Sequence, residues 1–141
     1  MPSKPQEQSS TTARIKYRRI NYREVLVALQ SYAKELVHTN KAQLVLLFGS
    51  LARGNYTGSS DADLLIIAEK ASDRHLDRYS EFLDPTLPIE ISPIVLKRKE
   101  CKKRLVAADP FLATAISQSL FLAGERDLYT EFHTMTSSQE T

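Results

Sequence analysis

The chain has 141 residues, of which 42% are hydrophobic and 26% charged, enough for one compact domain and too few for a comfortable two-domain enzyme. It lacks the roughly 20 consecutive apolar residues that a membrane-spanning helix needs, and residues 1–12 lack the apolar region of a secretory signal. The single Cys101 excludes an internal disulfide, which fits a reducing cytosol, and the net charge of +2 is too small to indicate a nucleic-acid partner by itself. We therefore expect a cytoplasmic protein with no membrane partner.

The N-terminal part of the chain changes character at Asn21. Residues 1–20 are polar, aperiodic and then basic, so we expect a disordered basic arm. Asn21 can cap a helix, and Glu24 stands three residues later, as in a capping box. Apolar residues then recur at helical spacing: Tyr22, Val25, Leu26, Leu29, Tyr32, Ala33, Leu36 and Val37. A helix is predicted from residue 21.

Two short apolar runs flank a polar loop. Residues 43–48 (QLVLLF) indicate a strand buried on both faces, and residues 63–68 (DLLIIA) indicate a second strand. The loop between them covers residues 49–60. Because the runs are too short for typical helices, they predict neighbouring strands of a small sheet.

The middle of the chain predicts one more helix and one more strand. Ser72 can cap a helix with an apolar face formed by Leu76, Tyr79 and Leu83. Residues 89–96 (IEISPIVL) alternate like a strand, and Pro93 indicates an edge strand or a bulge because proline cannot donate to the ladder.

The remaining residues predict two helices and a tail. Residues 97–107 indicate a basic helix, and Asp109 and Pro110 open another helix that ends at Gly124. Its expected face is Leu112, Ala115, Ile116, Ser119, Leu120 and Ala123. Beyond Tyr129 the chain is polar, so we expect a flexible tail over residues 130–141. The element order predicts an α/β domain over residues 21–129.

The loop after the first predicted strand carries groups that suit phosphate. Gly49 permits close approach to the main chain, and Ser50 offers a hydroxyl and an amide. A helical turn starting here would present free N–H groups, which favour phosphate. Arg53 adds a guanidinium that can pair with phosphate or carboxylate.

Asp61 and Asp63 open the second predicted strand. Alternate residues of a strand share a face, about 7 Å apart along the backbone, so these carboxylates repel unless a cation lies between them. Mg²⁺ prefers one or two carboxylates together with waters and phosphate oxygens. Glu90 is the only acidic residue of the third predicted strand and is the candidate third ligand, or else a solvent-facing side chain. The pattern predicts a site for a metal–nucleotide.

The segment GSLARGNYTGSSDADLLI resembles the signature of the DNA polymerase beta-type nucleotidyltransferase superfamily, and in particular its minimal nucleotidyltransferase domains. Their pattern is Gly-Ser, then Ala-Arg-Gly, then Ser-Asp-x-Asp-Leu, which this chain matches at the usual spacing. The matching residues are Gly49, Ser50, Ala52, Arg53, Gly54, Ser60, Asp61, Asp63 and Leu64. The resemblance implies the nucleotidyltransferase fold, a small mixed β-sheet packed with helices.

The resemblance also implies roles for individual residues. Gly49 and Ser50, with Arg53 and Ser60 in the same signature, would bind the nucleotide, and Asp61 and Asp63 would bind Mg²⁺. Glu90 falls where the family places a third acidic residue that helps bind metal and activates the attacking hydroxyl. An aspartate is usual there. The longer glutamate either shifts a metal position and weakens activity, since such sites tolerate errors of about half an ångström, or works as well as aspartate.

The implied reaction is transfer of a nucleotidyl group with release of pyrophosphate, with ATP as the donor by family habit. Small members of the family are often partnered with helical HEPN proteins, which are RNase toxins. Some of these members transfer AMP to a tyrosine of the toxin. The leading hypothesis is therefore an antitoxin that forms a hetero-oligomer with a HEPN toxin and modifies it.

Two other functions stay open at this stage. A non-catalytic module could neutralise a partner by binding alone. Residues 97–104 (KRKECKKR) hold six basic residues in eight and could meet nucleic acid, although no aromatic residue interleaves with them. Tyr56, in the loop, could stack on a base or be modified itself.

Overall fold

The computed structural model describes residues 21–57 and 60–139, so the arm predicted for residues 1–20 lies outside the described residues. The elements in chain order are α1 (Tyr22–His38), β1 (Leu44–Phe48), α2 (Gly49–Arg53), β2 (Ala62–Ile67), α3 (His75–Glu81), β3 (Ile91–Leu96), α4 (Arg98–Val106), α5 (Pro110–Ser117), β4 (Leu120–Gly124) and α6 (Arg126–Gln139). Every helix in the described part of the chain is too short or too polar to span a bilayer.

The four strands form one mixed sheet in the order β3-β2-β1-β4. β1 pairs antiparallel with both β2 and β4, and β2 pairs parallel with β3. β3 is an edge strand, which confirms the interpretation of Pro93. The mixed sheet with its helices confirms the predicted fold class.

Apolar residues cover both faces of the sheet. On one face, α1 and residues such as Val45, Leu64 and Ile66 form one core cluster. On the other face, alternate residues of the same strands pack with α4, α5 and α6, around Phe132 and Leu105. All five residues of β1 are buried, as predicted for a strand covered on both sides.

The start of α1 agrees with the sequence pattern. The Asn21 side chain accepts a hydrogen bond of 3.1 Å from the Glu24 backbone N–H, which satisfies one free donor of the first turn. Val25, Leu29, Ala33 and Leu36 are buried on its inner face. The predicted capped, amphipathic helix is confirmed.

The structure corrects the apolar face predicted for α3. Leu76, Tyr79 and Leu83 are 80%, 45% and 43% exposed, so they do not form a core face. The helix instead buries Arg78, which is 2% exposed, and Phe82 follows at its end. Ser72 accepts from the backbone N–H of Arg74 but does not cap the helix, which begins at His75.

Arg78 is buried because every side of its guanidinium finds an acceptor. It donates to Glu100 through two hydrogen bonds of 2.7 and 3.0 Å, and to the backbone carbonyls of Val95 and Ser72. This pairing lowers the pKa of Glu100 to about 2. A charge buried with full hydrogen bonding avoids most of the desolvation cost, and here it joins α3 to β3 and α4.

The helix predicted from Asp109 to Gly124 is two elements. Asp109 caps α5, accepting a 3.1 Å hydrogen bond from the Leu112 N–H, and Pro110 is its first residue, both as predicted. The helix ends at Ser117, and residues 120–124 form β4 instead. Extension of the helix to Gly124 was wrong because β1 offers an open edge that pairs with this segment.

The flexible tail predicted for residues 130–141 was wrong over residues 130–139, which continue α6. Leu128, Phe132 and Thr136, four residues apart, are buried on one face of the helix, and Leu128 and Phe132 belong to the core cluster formed with α4 and α5. The domain therefore continues past Tyr129 to at least Gln139.

Candidate active site

The sharp turn between β1 and α2 depends on Gly49. Its φ of +79° lies in the left-handed region, which residues with a Cβ rarely adopt. A Cβ built on Gly49 would lie 2.2 Å from Oδ2 of Asp63, well inside any allowed contact. The turn thus brings bare backbone against a carboxylate of β2, which is a close approach that only glycine permits. A short helix, α2, starts at Gly49, so the condition for free N–H groups at this turn is met.

Asp61 immediately precedes β2, and Asp63 is the second residue of this strand. Burial, and then the nearby charge of Asp61, raise the pKa of the Asp63 carboxyl, while Arg53 acts in the opposite direction. The two carboxylates are therefore close enough to repel, and Arg53 offsets this only in part. An unbalanced pair of hard oxygen donors at the N-terminal end of an interior strand fits a divalent cation such as Mg²⁺.

Glu90 lies one residue before β3 and is exposed. Its carbonyl accepts a 2.9 Å hydrogen bond from the N–H of Ala62, so it stands beside Asp61 in the parallel register. Across residues 21–57 and 60–139, however, no three acidic, histidine or cysteine side chains gather as a metal-binding group. Asp61 acts on the pKa of Asp63, and Glu90 lies beside Asp61 in the strand register without completing a group of three metal ligands among the described residues.

Ser50 and Ser60 face each other across the loop. The Ser50 hydroxyl donates to the Ser60 hydroxyl over 3.3 Å, and Ser60 accepts a 2.8 Å hydrogen bond from the Thr57 N–H. Ser60 thus holds the end of the loop beside the β1–α2 turn. Arg53, the last residue of α2, is exposed and lies on the same side of the sheet end as Ser50, where both border a cleft.

A cleft of about 690 Å³ opens beside this turn. Four predicted site residues border it: Gly49, Ser50, Arg53 and Asp63. The residues that sequence reasoning missed come from α3, β3, α5 and the residue after α5: Tyr79, Ser92, Phe111, Thr114 and Gln118. Phe111 and Thr114 stand at i and i+3 on one face of α5, and Gln118 follows directly after its last residue.

Ser92 is a cleft residue that the sequence pattern did not predict. It is the register partner of Asp63 across the parallel pair β2 and β3, and it borders the cleft. Residues directly opposite in neighbouring strands present their side chains on the same face. The position beside Asp63 is thus occupied by a hydroxyl and not by a third carboxylate.

The side chain of Tyr56 packs against another tyrosine. Its ring stacks on Tyr22 with the centroids 5.1 Å apart and the planes within 8°. The Tyr22 hydroxyl donates to the carbonyl of Leu51, so the two rings attach the loop to α1 and α2. In the structure Tyr56 therefore stabilises the loop, which differs from the suggested contact with a base.

The basic segment 97–104 forms α4 and is largely paired with acids. Four of its six basic residues have a carboxylate within 3.2 Å; the pairs are Lys97–Asp73, Arg98–Glu125, Lys102–Glu131 and Arg104–Asp109. Cys101 and Leu105 of the same helix are buried in the core. This local neutralisation leaves little concentrated positive charge for nucleic-acid phosphates.

Comparison with known families gives one match that covers most of the domain. The family model described as a nucleotidyltransferase domain matches residues 29–115. The matched region runs from α1 through β1, α2, β2 and β3 into α5, and so includes the turn at Gly49 and the pair Asp61 and Asp63.

Individual proteins match this chain with low sequence identity or over a short segment. A Methanocaldococcus jannaschii protein, provisionally named protein adenylyltransferase, is 39% identical over 62 residues, which is 40% of this chain and 42% of that protein. A toxin–antitoxin crystallised with AMP-PNP has a TM-score of 0.55 at 22% identity, over 79% of this chain and 86% of that one. A mutant of the toxin–antitoxin MntA–HpeT has a TM-score of 0.53 at 19% identity, over 79% and 85%. The two structural likenesses are likenesses of fold.

Proposed function

Because the chain belongs to the nucleotidyltransferase domain family, we propose that it transfers AMP from ATP, with Mg²⁺, to a tyrosine hydroxyl of a partner protein and releases pyrophosphate. The observation that carries this proposal is the position of Asp63, which lies against the β1–α2 turn and borders the cleft, with the charge of Asp61 near enough to raise its pKa. The carboxylates suit a cation, the turn suits phosphate, and the cleft suits a small molecule.

The site residues have separate proposed roles in binding the metal and the triphosphate. Mg²⁺ held by Asp61 and Asp63 would neutralise the triphosphate and orient it for in-line displacement. The backbone at Gly49 and the hydroxyl of Ser50 bind phosphate oxygens, and Arg53 adds positive charge at the rim of the cleft.

In the reaction, the tyrosine oxygen forms a bond to the α-phosphorus, and the bond from that phosphorus to the bridging oxygen of the leaving pyrophosphate breaks. The hydroxyl proton passes to a carboxylate, for which Glu90 is our candidate because it stands beside Asp61 in the register. Exchange of Glu90 for glutamine tests this assignment directly.

The proposed acceptor is a helical HEPN-type toxin, with which the chain would form a hetero-oligomer as the antitoxin. Support comes from the name of the Methanocaldococcus relative and from structural neighbours that are toxin–antitoxin proteins, one of them with a bound ATP analogue. The exposed side chain of Tyr79 beside the cleft provides apolar surface that a protein acceptor could cover.

One observation favours a second candidate, a module that neutralises its partner by binding alone. Glu90 does not join Asp61 and Asp63 as a third ligand in this structure. A transferase that needs three carboxylates would be impaired by that arrangement, whereas a binding module would not be.

The experiment is transfer of label from ATP carrying ³²P at the α-phosphate, with Mg²⁺ and a lysate of the host. The wild type is compared with the Asp61→Asn, Asp63→Asn double variant and with Asp127→Asn, which removes an exposed carboxylate from the first turn of α6, outside the cleft. We expect one labelled protein band with the wild type and with Asp127→Asn, and none with the double variant.

A parallel reaction with ATP labelled at the γ-phosphate separates nucleotidyl transfer from phosphoryl transfer. Only the α-label stays on the acceptor if AMP is transferred, because the γ-phosphate leaves in pyrophosphate. Absence of label with every version, while wild type and double variant still capture the same partner, would reject the transferase and support the binding module.

A further inference from the structure

We propose that the ring of Phe111 forms the platform on which the nucleobase of the donor stacks, so that the α5 wall of the cleft is the base subsite. This inference rests on the proposed function, since only a nucleotide donor brings a base. It adds a residue of α5 that the signature around Gly49 and Asp63 does not include.

Phe111 is unusual among the residues of α5. Its neighbours Leu112, Ala115 and Ile116 are buried, whereas Phe111 is 52% exposed and borders the cleft. An exposed aromatic ring on the wall of a concave site can gain contact area when a ligand enters, which a ring on a convex surface cannot.

The ring is also held in place beside the phosphate turn. Phe111 meets Phe48 edge to face, with the ring centroids 5.8 Å apart and the planes at 82°. Phe48 is only 7% exposed, so it provides a fixed support, and it immediately precedes Gly49 in the chain. The platform is therefore one ring contact away from the turn proposed to bind the triphosphate.

Hydrogen-bonding groups lie along the same wall of the cleft. Thr114 of α5 and Gln118, the residue directly after this helix, border the cleft with Phe111, and both are partly exposed. A glutamine amide both donates and accepts, which is the pattern that the edge of an adenine presents. A ring for the face and an amide for the edge together match a purine better than they match a phosphate or a sugar.

The competing occupant of this wall is a side chain of the acceptor protein. The two differ in what they predict for a donor measured alone. A base platform affects the affinity for a nucleotide and leaves the affinity for inorganic tripolyphosphate unchanged, whereas an acceptor contact affects neither.

The test is isothermal titration in Mg²⁺ with two probes, the α,β-methylene analogue of ATP and inorganic tripolyphosphate. The variants are Phe111→Ala, the conservative Phe111→Tyr, and Val106→Ala as a matched control. Val106 is 74% exposed on α4 and does not border the cleft. We expect Phe111→Ala to weaken the nucleotide analogue about tenfold or more, with tripolyphosphate within twofold of wild type. Phe111→Tyr and Val106→Ala should bind both probes like the wild type.

The inference is overturned if Phe111→Ala leaves the ratio of the two affinities unchanged, either because neither changes or because both fall together. If Phe111→Ala instead raises only the KM for the protein acceptor in the label-transfer assay, the wall belongs to the acceptor and the inference also fails. The proposed function has its own criterion: a wild type that binds neither probe and transfers no label rejects both. If the wild type transfers label but Phe111→Ala leaves the ratio of the two affinities unchanged, only the base platform is rejected.

Discussion

Substitution of Gly49 by alanine probes the contact on which the site is built. Two glycines of the same loop have nearly the same left-handed φ, +79° at Gly49 and +84° at Gly54. They differ in their surroundings, because a Cβ at Gly54 meets nothing within 4 Å, whereas a Cβ at Gly49 meets Oδ2 of Asp63 at 2.2 Å. Gly54→Ala is therefore a matched control for backbone strain without the clash.

The expected losses of stability combine the backbone strain and, at Gly49, the clash with Asp63. Holding alanine in the left-handed region costs about 1–2 kcal/mol, which is the whole expected effect at Gly54. At Gly49 the Asp63 carboxylate must also rotate away or the turn must shift, which adds about 1–3 kcal/mol. We expect losses in the free energy of unfolding of about 1–2 kcal/mol for Gly54→Ala and about 2–5 kcal/mol for Gly49→Ala.

Urea unfolding followed by far-ultraviolet circular dichroism measures both losses, since the chain has no tryptophan. Repeating Gly49→Ala in an Asp63→Ala background isolates the clash, and the loss there should fall by at least about 1 kcal/mol toward that of Gly54→Ala. The reasoning is refuted if both glycine substitutions cost the same, or if the Asp63→Ala background brings no relief. A folded Gly49→Ala protein should also lose label transfer, because its Asp63 carboxylate is displaced.

Four further expectations concern stability and reactivity. Glu100→Gln should destabilise the fold by about 2–3 kcal/mol in urea, because it leaves the buried Arg78 with a neutral partner, whereas Asp73→Asn at an exposed ion pair should cost less than about 1 kcal/mol. Since the pKa of Glu100 falls from 4.5 to about 2 on folding, its stabilisation is present above pH 4.5 and is lost as the pH falls toward 2. The full pKa shift would correspond to about 3 kcal/mol of stability, but the Glu100 side chain is 37% exposed and solvent screens part of this. Between pH 5 and 2.5 the free energy of unfolding of the wild type should therefore fall by only about 1–2 kcal/mol more than that of Glu100→Gln. Equal losses for the two proteins would contradict this prediction. Burial raises the pKa of Cys101 to about 12, so the thiol should resist Ellman's reagent at pH 8 in the native protein and react once urea unfolds it; rapid native reaction would contradict its burial. Phe132→Ala should cost about 3–5 kcal/mol in the same unfolding assay, and a loss below 1 kcal/mol would mean that α6 does not anchor the fold.

The strands and the core of the site were predictable from local sequence. β1 and β2 are short apolar runs, and the glycine turn and the aspartates between them carry their chemistry in residue type and spacing. The segment Leu120–Gly124 was not predictable in this way, because its apolar residues also continue the helical period of α5. Only pairing with β1, which is distant in sequence, decides for a strand.

Within the site, too, local sequence predicts some residues and not others. The signature residues lie in one continuous segment, whereas Phe111 and Gln118 join the cleft through tertiary packing of α5 over the sheet. The helix α6 was missed although Leu128 and Phe132 stand four residues apart, because the polar residues between them dominate the composition. Its anchoring comes from a few buried side chains, which composition does not reveal.

The buried guanidinium of Arg78 has a consequence for the cleft that it does not touch. The α3 helix has two candidate inner faces, one carrying Leu76, Tyr79 and Leu83 and the other carrying Arg78. Hydrophobicity alone would turn the first face inward, so the hydrogen bonds to Glu100 and to two backbone carbonyls select the opposite rotational setting. That choice brings Tyr79 to the rim of the cleft. A charge pair behind the helix thereby determines which aromatic side chain an incoming substrate meets.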